Sequence, residues 1–360
     1  MIPDATYVPN ATYVPNATFV PNATYVPNAT YVPNATYVPN ATYVLPIRSG
    51  EPHTDELTTY LRWVSRRMSL VIVDGSPPSV FDEVHHAWSK WSVHVRPDDG
   101  IVGANGKVRG VLSSAAHVRT PFVIIADDDV RHTAVSLDAC VTALLDADLV
   151  VPQNFFAPMP WHATWDTART LLNRSVGHDF PGTMGVRTAH LVAGYNADVL
   201  FENLELIRTV TARGGACVWR PDIYVRRLPP TVAHFWGQRV RHAYDEFARP
   251  ARMALWLSLL PLAAAAVVTG RSRAIAGPTL GAAALAEVGR RRHDGRRWFS
   301  PMASLATPVW LLERSVCAWL AVIERLRGGV KYAGGRLATS ATPARHLAGV
   351  GPRTALRDVV

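Results

Sequence analysis

From Ala41 onward, continuously apolar runs alternate with stretches whose apolar residues recur every three or four positions. TYVLPI (42–47), SLVIVDG (69–75), PFVIIAD (121–127) and DLVVPQNF (148–155) read as strands, with WSVHV (91–95) as a short one. DELTTYLRWVSRRM (55–68), GKVRGVLSSAAHV (106–118) and AVSLDACVTALLDA (134–147) read as the helices between them. Strands apolar on both faces, separated by helices, predict an α/β domain with a Rossmann-like, mostly parallel sheet and flanking helices. Ligands of such sheets sit at the carboxyl ends of the strands. Three polar groups fall there: Arg48, Ser49 and Glu51 after the first strand, Asp74-Gly75-Ser76 after the second, and Asp127-Asp128-Asp129 after PFVIIA. GHDFPGTMGVR (177–187) is glycine-rich and polar and reads as a loop over the site, with His178 and Asp179 as weak candidates, or as an ordinary surface loop.

The pattern differs at both ends. Residues 5–40 are six copies of a hexapeptide, mostly ATYVPN, with Phe19 replacing Tyr once. Proline in every copy removes ladder donors and argues against a β-solenoid. The repeat shares four letters with ATYVLP at the start of the first strand, so residues 1–40 read as a tandemly expanded, dispensable and largely disordered arm. Beyond the α/β domain (41–250), residues 251–330 turn apolar. MALWLSLLPLAAAAVV (253–268) and AIAGPTLGAAALAEVG (274–289) predict a helical hairpin, either membrane-inserted or part of a soluble helical subdomain. The segment 300–329, interrupted by Glu313, Arg314, Glu324 and Arg325, predicts an interfacial or re-entrant helix. Residues 331–360 form a tail, expected to be disordered from about Ser340.

The net charge of +9 admits nucleic acid, an anionic membrane surface or phosphorylated substrates as partners. Its densest run, RRRHDGRR (290–297), lies between apolar stretches, which favours a membrane surface. No helix-turn-helix, RRM or zinc-finger pattern supports nucleic acid. Three scattered cysteines and no signal-peptide pattern favour a cytoplasmic face at the cell membrane. The Arg cluster would then mark the cytosolic side of the hairpin, with Arg271 and Arg273 opposite. His85-His86 do not read as a metal pair, since adjacent residues on a helix diverge.

Three adjacent carboxylates at the end of a buried strand need an explanation. If the strand continues, Asp127 and Asp129 face the same side. Two carboxylates about 5 Å apart repel by roughly 3 kcal/mol at an effective dielectric of 20. A Mg2+ or Mn2+ ion shared with substrate phosphates removes that cost, whereas a helix cap or a solvated loop would need no ligand.

YVLPIRSGE, VIVDGS, NGKVRGVLSSA, ADDDVR, LFENLELIRTVTARGG and FWGQRVRHAYDEFARP, in this order, resemble the motifs of family 2 glycosyltransferases of the GT-A fold, over about residues 42–250. The hydrophobic segments that follow resemble membrane-associated bacterial members, and GGVKYAGGRL resembles their closing segment. The resemblance implies metal-dependent, inverting transfer from a nucleotide-sugar donor, with UDP as carrier, to a lipid or other membrane-near hydroxyl. It implies Asp127 and Asp129 as metal ligands of a DxD motif, and Asp127 as a donor contact as well. Asp74 would be a base contact, and Arg48, Glu51 and Lys107 would lie near the donor. Gln238, Arg239 and Arg241 match the QxxRW segment, with Arg241 offsetting leaving-group charge and His242 replacing the tryptophan. The family's base aspartate falls at Asn203, which cannot take a proton, so Glu202 or Glu205 would act as catalytic base or else hold structure. Two other readings remain: a nucleotide-sugar-binding membrane protein without catalysis, and a nucleotidyltransferase of similar fold.

Overall fold

The computed structural model describes residues 40–332 and 334–347. The hexapeptide arm up to residue 39 and the tail from residue 348 lie outside the described residues. The α/β part runs β1 (Ala41–Ile47), α1 (Asp55–Ser65), β2 (Ser69–Asp74), α2 (Pro78–Trp88), β3 (Val93–Val95), α3 (Gly106–Ser114), β4 (Phe122–Ala126), β5 (Val130–Arg131), α4 (Ala134–Ala143) and β6 (Leu149–Phe156). It continues through α5 (Trp161–Val176), β7 (Thr183–Arg187), α6 (Thr188–Val192), α7 (Glu202–Ala212), β8 (Cys217–Arg227) and α8 (Val232–Tyr244). Four more helices follow, α9 (Pro250–Val268), α10 (Arg273–Arg291), α11 (Pro301–Leu305) and α12 (Thr307–Leu326). A small hairpin of β9 (Val330–Tyr332) and β10 (Gly335–Leu337) and a last turn, α13 (Ala344–Leu347), complete the described chain.

Helix starts follow local chemistry. Thr54 caps α1 by accepting from the Leu57 amide, with Asp55 and Glu56 in the first turn. Asn105 caps α3 through the Lys107 and Val108 amides, and Thr133 with Ser136 forms a capping box on α4. α3 and α4 stop at Ser114 and Ala143, each about one turn short of the pattern-based expectation.

The sheet order is β3-β2-β1-β4-β7-β6-β8-β5. β3, β2, β1 and β4 pair in parallel, as do β6 and β8. β7 runs antiparallel between β4 and β6, and β5 pairs antiparallel with β8. The mostly parallel α/β architecture expected from the pattern is present. The expected loop at 177–187 is corrected: its second half is β7, a buried strand in the middle of the sheet. The glycines of 177–187 hid it, yet within β7 Gly185 is small because Leu144 and Ile124 press on the place a Cβ would take, at 3.0 and 3.3 Å. One face of the sheet buries Tyr43, Leu45, Ile72 and Ile124 against α1 and α4; the other buries Val44, Val71, Val123 and Val186 with α3 and α7.

The C-terminal helices are not a separate body. α12 packs on α8, α9 and α5 through Trp310, Cys317, Ala318 and Ala321. α10 lies along α5 so closely that a Cβ on Gly289 would stand 1.9 Å from the Leu171 carbonyl oxygen. Among the described residues α9 is the one helix long and apolar enough to cross a bilayer, with mean hydropathy 1.8. Residues 340–347, part of the tail expected to be disordered from about Ser340, are held instead. The Leu200 and Phe201 amides donate to the Thr339 and Ser340 carbonyls, and the Ser340 hydroxyl donates to the Asp245 carbonyl.

Candidate active site

A cleft of about 550 Å3 opens where β1, β2 and β4 end, and α7, α8 and the C-terminal helices close its far side. It is walled by Arg48, Lys107, the three aspartates, Glu202, Asn203, Arg227 and Arg241, with Asp245, Arg249, Arg252 and Arg314 further along.

The three aspartates do not continue β4 as a strand. The Val130 amide donates to the Asp127 carbonyl, which closes a turn before β5. Asp127 and Asp129 nevertheless converge, because one guanidinium gathers them. Arg227 donates from Nε to Asp129 Oδ2 at 2.8 Å, and its Nη2 lies 3.8 Å from Asp127 Oδ2. Burial alone would lower the pKa of Arg227, but Asp129 and Asp127 outweigh it and keep the side chain charged. On its other oxygen Asp127 meets Lys107 Nζ at 2.5 Å, and the same ammonium reaches Glu202 Oε1 at 2.8 Å. Burial opposes this charge too, and the two carboxylates more than reverse that, raising the pKa. Lys107 is positioned by the Asn105 cap, and Asn105 also donates to the Val199 carbonyl.

Gly182 makes room for Asp127. A Cβ there would stand 2.5 Å from Asp127 Oδ2, and the Gly182 carbonyl accepts from the Asp127 amide at 2.8 Å. Burial raises the pKa of Asp129, and the Arg227 charge opposes this. Its Oδ1 is buried and accepts no hydrogen bond. That orphaned carboxylate oxygen, beside a second carboxylate, fits a divalent cation. Among the described residues no group of three or more His, Cys, Asp or Glu is placed to hold a metal alone. Two carboxylates completed by diphosphate oxygens are what Mg2+ or Mn2+ would use here.

The structure brings Arg48, Lys107, Asp127, Asp129, Glu202, Gln238 and Arg241 to this cleft. Arg241 lies over the Tyr332 ring, 4.6 Å from its centroid. Gln238 Nε2 touches His234 Nε2. Asn203 turns its amide to the Pro181 carbonyl at 2.8 Å. Burial drives the pKa of His242 well down, so it stands in the cleft as a neutral ring.

Four expectations are corrected. Asp74 is fully buried below the cleft, where Oδ2 meets His53 Nε2 and His94 Nε2, both at 3.3 Å, and Oδ1 accepts from the Ser76 amide. Burial would raise its pKa, but these bonds outweigh it and hold the carboxyl far below its ordinary range. Both of its oxygens are thus engaged within the protein, by His53, His94 and the Ser76 amide. Glu51 is exposed and away from the cleft wall. Glu205 is 0% exposed and accepts from the Thr342 amide at 2.6 Å, so it holds the C-terminal segment. Arg239 is buried between Asp166, at 2.6 Å, and Glu313, at 2.5 Å, and cross-ties α8, α5 and α12. Of the weak candidates, His178 stacks on Trp219, and Asp179 is spent on Arg169, Thr170 and Asn173. His85 pairs with His94 rather than with His86.

Sequence reasoning missed Arg227 and Asp245. Arg227 ends a strand whose half-exposed, mixed residues carry no clear period. Asp245 follows α8 in a short 3-10 turn. Its Oδ1 is buried without a partner, and burial, helped by the nearby Glu202 charge, pushes its pKa up to about 8. A carboxyl four residues after Arg241 was visible in the sequence; its burial was not.

No protein-family model matches the sequence, and no curated protein matches it. Similar solved structures include a mannosyltransferase from Pyrobaculum calidifontis in complex with GDP-Man and Mn2+, at 18% identity over 80% of this chain and 89% of that chain, with a TM-score of 0.48. They also include glucosyl-3-phosphoglycerate synthase from Mycobacterium tuberculosis, at 15% identity over 56% of this chain and 76% of that one (TM-score 0.38). A third is mannosyl-3-phosphoglycerate synthase from Rubrobacter xylanophilus, at 11% identity over 55% and 69% (TM-score 0.39).

Proposed function

We propose that this protein is a glycosyltransferase that moves a sugar from a nucleotide-sugar donor, with UDP as its carrier, to a membrane-near acceptor, with inversion. The observation that carries the reading is the pair Asp127 and Asp129, gathered at the cleft by Arg227, with one carboxylate oxygen buried and unpartnered. Mg2+ or Mn2+, held by Asp127 and Asp129, would offset charge on the donor diphosphate when bound.

The chain's own side chains supply the rest. Lys107 is charged beside Asp127 and would be free to bind a phosphate oxygen were that carboxylate to hold a metal. Arg241 projects into the cleft and counters charge that grows on the leaving nucleoside diphosphate. Arg48, at the end of β1, lies on the donor side. Glu202 spends its charge on Lys107. Asp245 is the better proton acceptor for the acceptor hydroxyl, because a carboxyl with a pKa of about 8 is basic enough to share a proton near neutral pH. It would stand in for the amide at Asn203. The rival reading, a binding protein without catalysis, draws on that amide and predicts no transfer with any acceptor.

The exposed apolar side of α9, with Leu262 64% and Val268 86% exposed, is the surface we assign to the membrane. The arginines of 290–297 would meet anionic headgroups from the cytoplasmic side.

Calorimetric titration of UDP and of GDP, with and without Mn2+, tests the donor site. The expected result is metal-dependent binding that Asp127→Asn with Asp129→Asn abolishes. Metal-independent binding, or no binding of either nucleotide, would sink the reading.

A further inference from the structure

The inner end of the cleft lies away from the Asp127–Asp129 pair. It is built from the C-terminal helices and α5, and arginine dominates it. Arg314 on α12 is 1% exposed. Among the described residues it makes no ion pair within 4 Å, and its Nε and Nη1 are buried with no acceptor. Its contact is with the Trp310 ring, 5.1 Å from the centroid. The acids that face it carry other ion-pair partners, although Glu313 Oε1 and Glu246 Oε2 accept no hydrogen bond. Glu313 is held by Arg239 at 2.5 Å, and Glu246 by Arg249 at 3.2 Å and Arg252 at 3.4 Å. Asp245 makes no ion pair with Arg314 within 4 Å, and its Oδ1 is buried without a partner. Arg249 Nε is likewise buried without an acceptor. Arg239 and Arg169 add repulsion rather than relief.

Glu246 and Glu313 favour the Arg314 charge from a distance, yet buried guanidinium N–H groups with no acceptor are unfavourable, so a fold that keeps them at a cleft wall has a use for an anion there. We propose that Arg314, Arg252 and Arg249 form a subsite for a phosphomonoester carried by the acceptor. Three guanidinium forks offer more donors than the two oxygens of a carboxylate can accept, and a phosphate group with three terminal oxygens matches them. The donor diphosphate would sit instead at the strand ends, where Lys107 and Arg227 stand beside the proposed metal ligands Asp127 and Asp129. Arg252 lies near the start of α9, whose other end carries the exposed apolar surface. A phosphate at the boundary between water and lipid would reach the same place as a soluble phosphomonoester.

This assignment rests on the transferase reading, and the experiment separates the two. Full-length protein in detergent, saturated with UDP and Mn2+ so that the donor site is filled, is titrated with dodecyl phosphate and with glycerol 3-phosphate. Wild type is expected to bind at least one. Arg314→Gln and Arg252→Gln are each expected to weaken that binding about tenfold or more while UDP affinity stays as in wild type. Preference for dodecyl phosphate identifies a lipid source; equal affinity identifies a soluble one. If Arg314→Gln fails to fold, judged by its thermal transition, Arg252→Gln decides alone. Wild type that binds UDP but neither phosphomonoester overturns the subsite, as does undiminished binding in the folded variants. Failure of UDP itself to bind removes the transferase reading and the acceptor assignment with it.

Discussion

Asp245 makes the sharpest prediction at the scale of single residues. Its ordinary pKa of 3.8 is raised to about 8 in the folded protein, with burial as the largest cause and Glu202 next, against the opposing charges of Arg241 and Arg314. Between those values the folded state holds a proton that the unfolded state has lost. Stability therefore falls as pH rises through that window and levels off above about 8. Asp245→Asn removes the slope, so its melting temperature should exceed that of wild type most at pH 8 and match it near pH 4. If Asp245 takes the acceptor's proton, kcat/KM rises with pH toward 8, and the variant loses both that limb and turnover by about 10^2-fold or more. Glu202→Gln, in contrast, should act through Lys107 and weaken donor binding. A rising limb that survives in Asp245→Asn would return the base role to Glu202. None of this was readable in "HAYDEF", because the pKa depends on what is packed around the carboxyl. Asp127 and Asp129, in contrast, were legible as a pair, although a shared arginine rather than strand geometry brings them together.

Elements lock together through small contacts that a pattern does not reveal. Gly289 lets α10 lie on the backbone of α5, where Arg174 Nε also donates to its carbonyl at 3.1 Å. Gly289→Ala should force the helices apart and cost about 1–3 kcal/mol, measured by denaturant unfolding. An unchanged midpoint would mean that α10 is not seated there. Glu205 holds the segment after β10 through the Thr342 amide. Glu205→Ala should open residues 338–347 to proteolysis while leaving UDP affinity unaltered, which separates a structural role from a catalytic one. β7 shows why the middle of the sheet escaped detection. A strand buried on both faces does not alternate, and the glycines that let its neighbours approach are the residues that usually mark loops.

At the scale of the whole molecule, the C-terminal helices belong to the architecture of the candidate site. They cover the cleft with Arg252 and Arg314 and leave α9 with an apolar side exposed. Leu262→Glu combined with Val268→Glu should reduce sedimentation of the protein with vesicles rich in anionic lipid, with donor binding retained. Equal sedimentation would assign the apolar surface to another partner.

Local physical chemistry was enough to determine the alternation of strands and helices from Ala41 to Phe155 and the placement of carboxylates at the ends of parallel strands. These depend on neighbours in the chain and on a repeating period. Tertiary structure alone decided that Asp74, Glu205 and Arg239 are consumed by internal partners, that Arg227 and Asp245 complete the site, and that Arg314 is a buried cation at its wall. Those outcomes depend on burial and on partners far away in sequence, such as the 137 residues between Glu205 and Thr342, and no local pattern encodes such a distance.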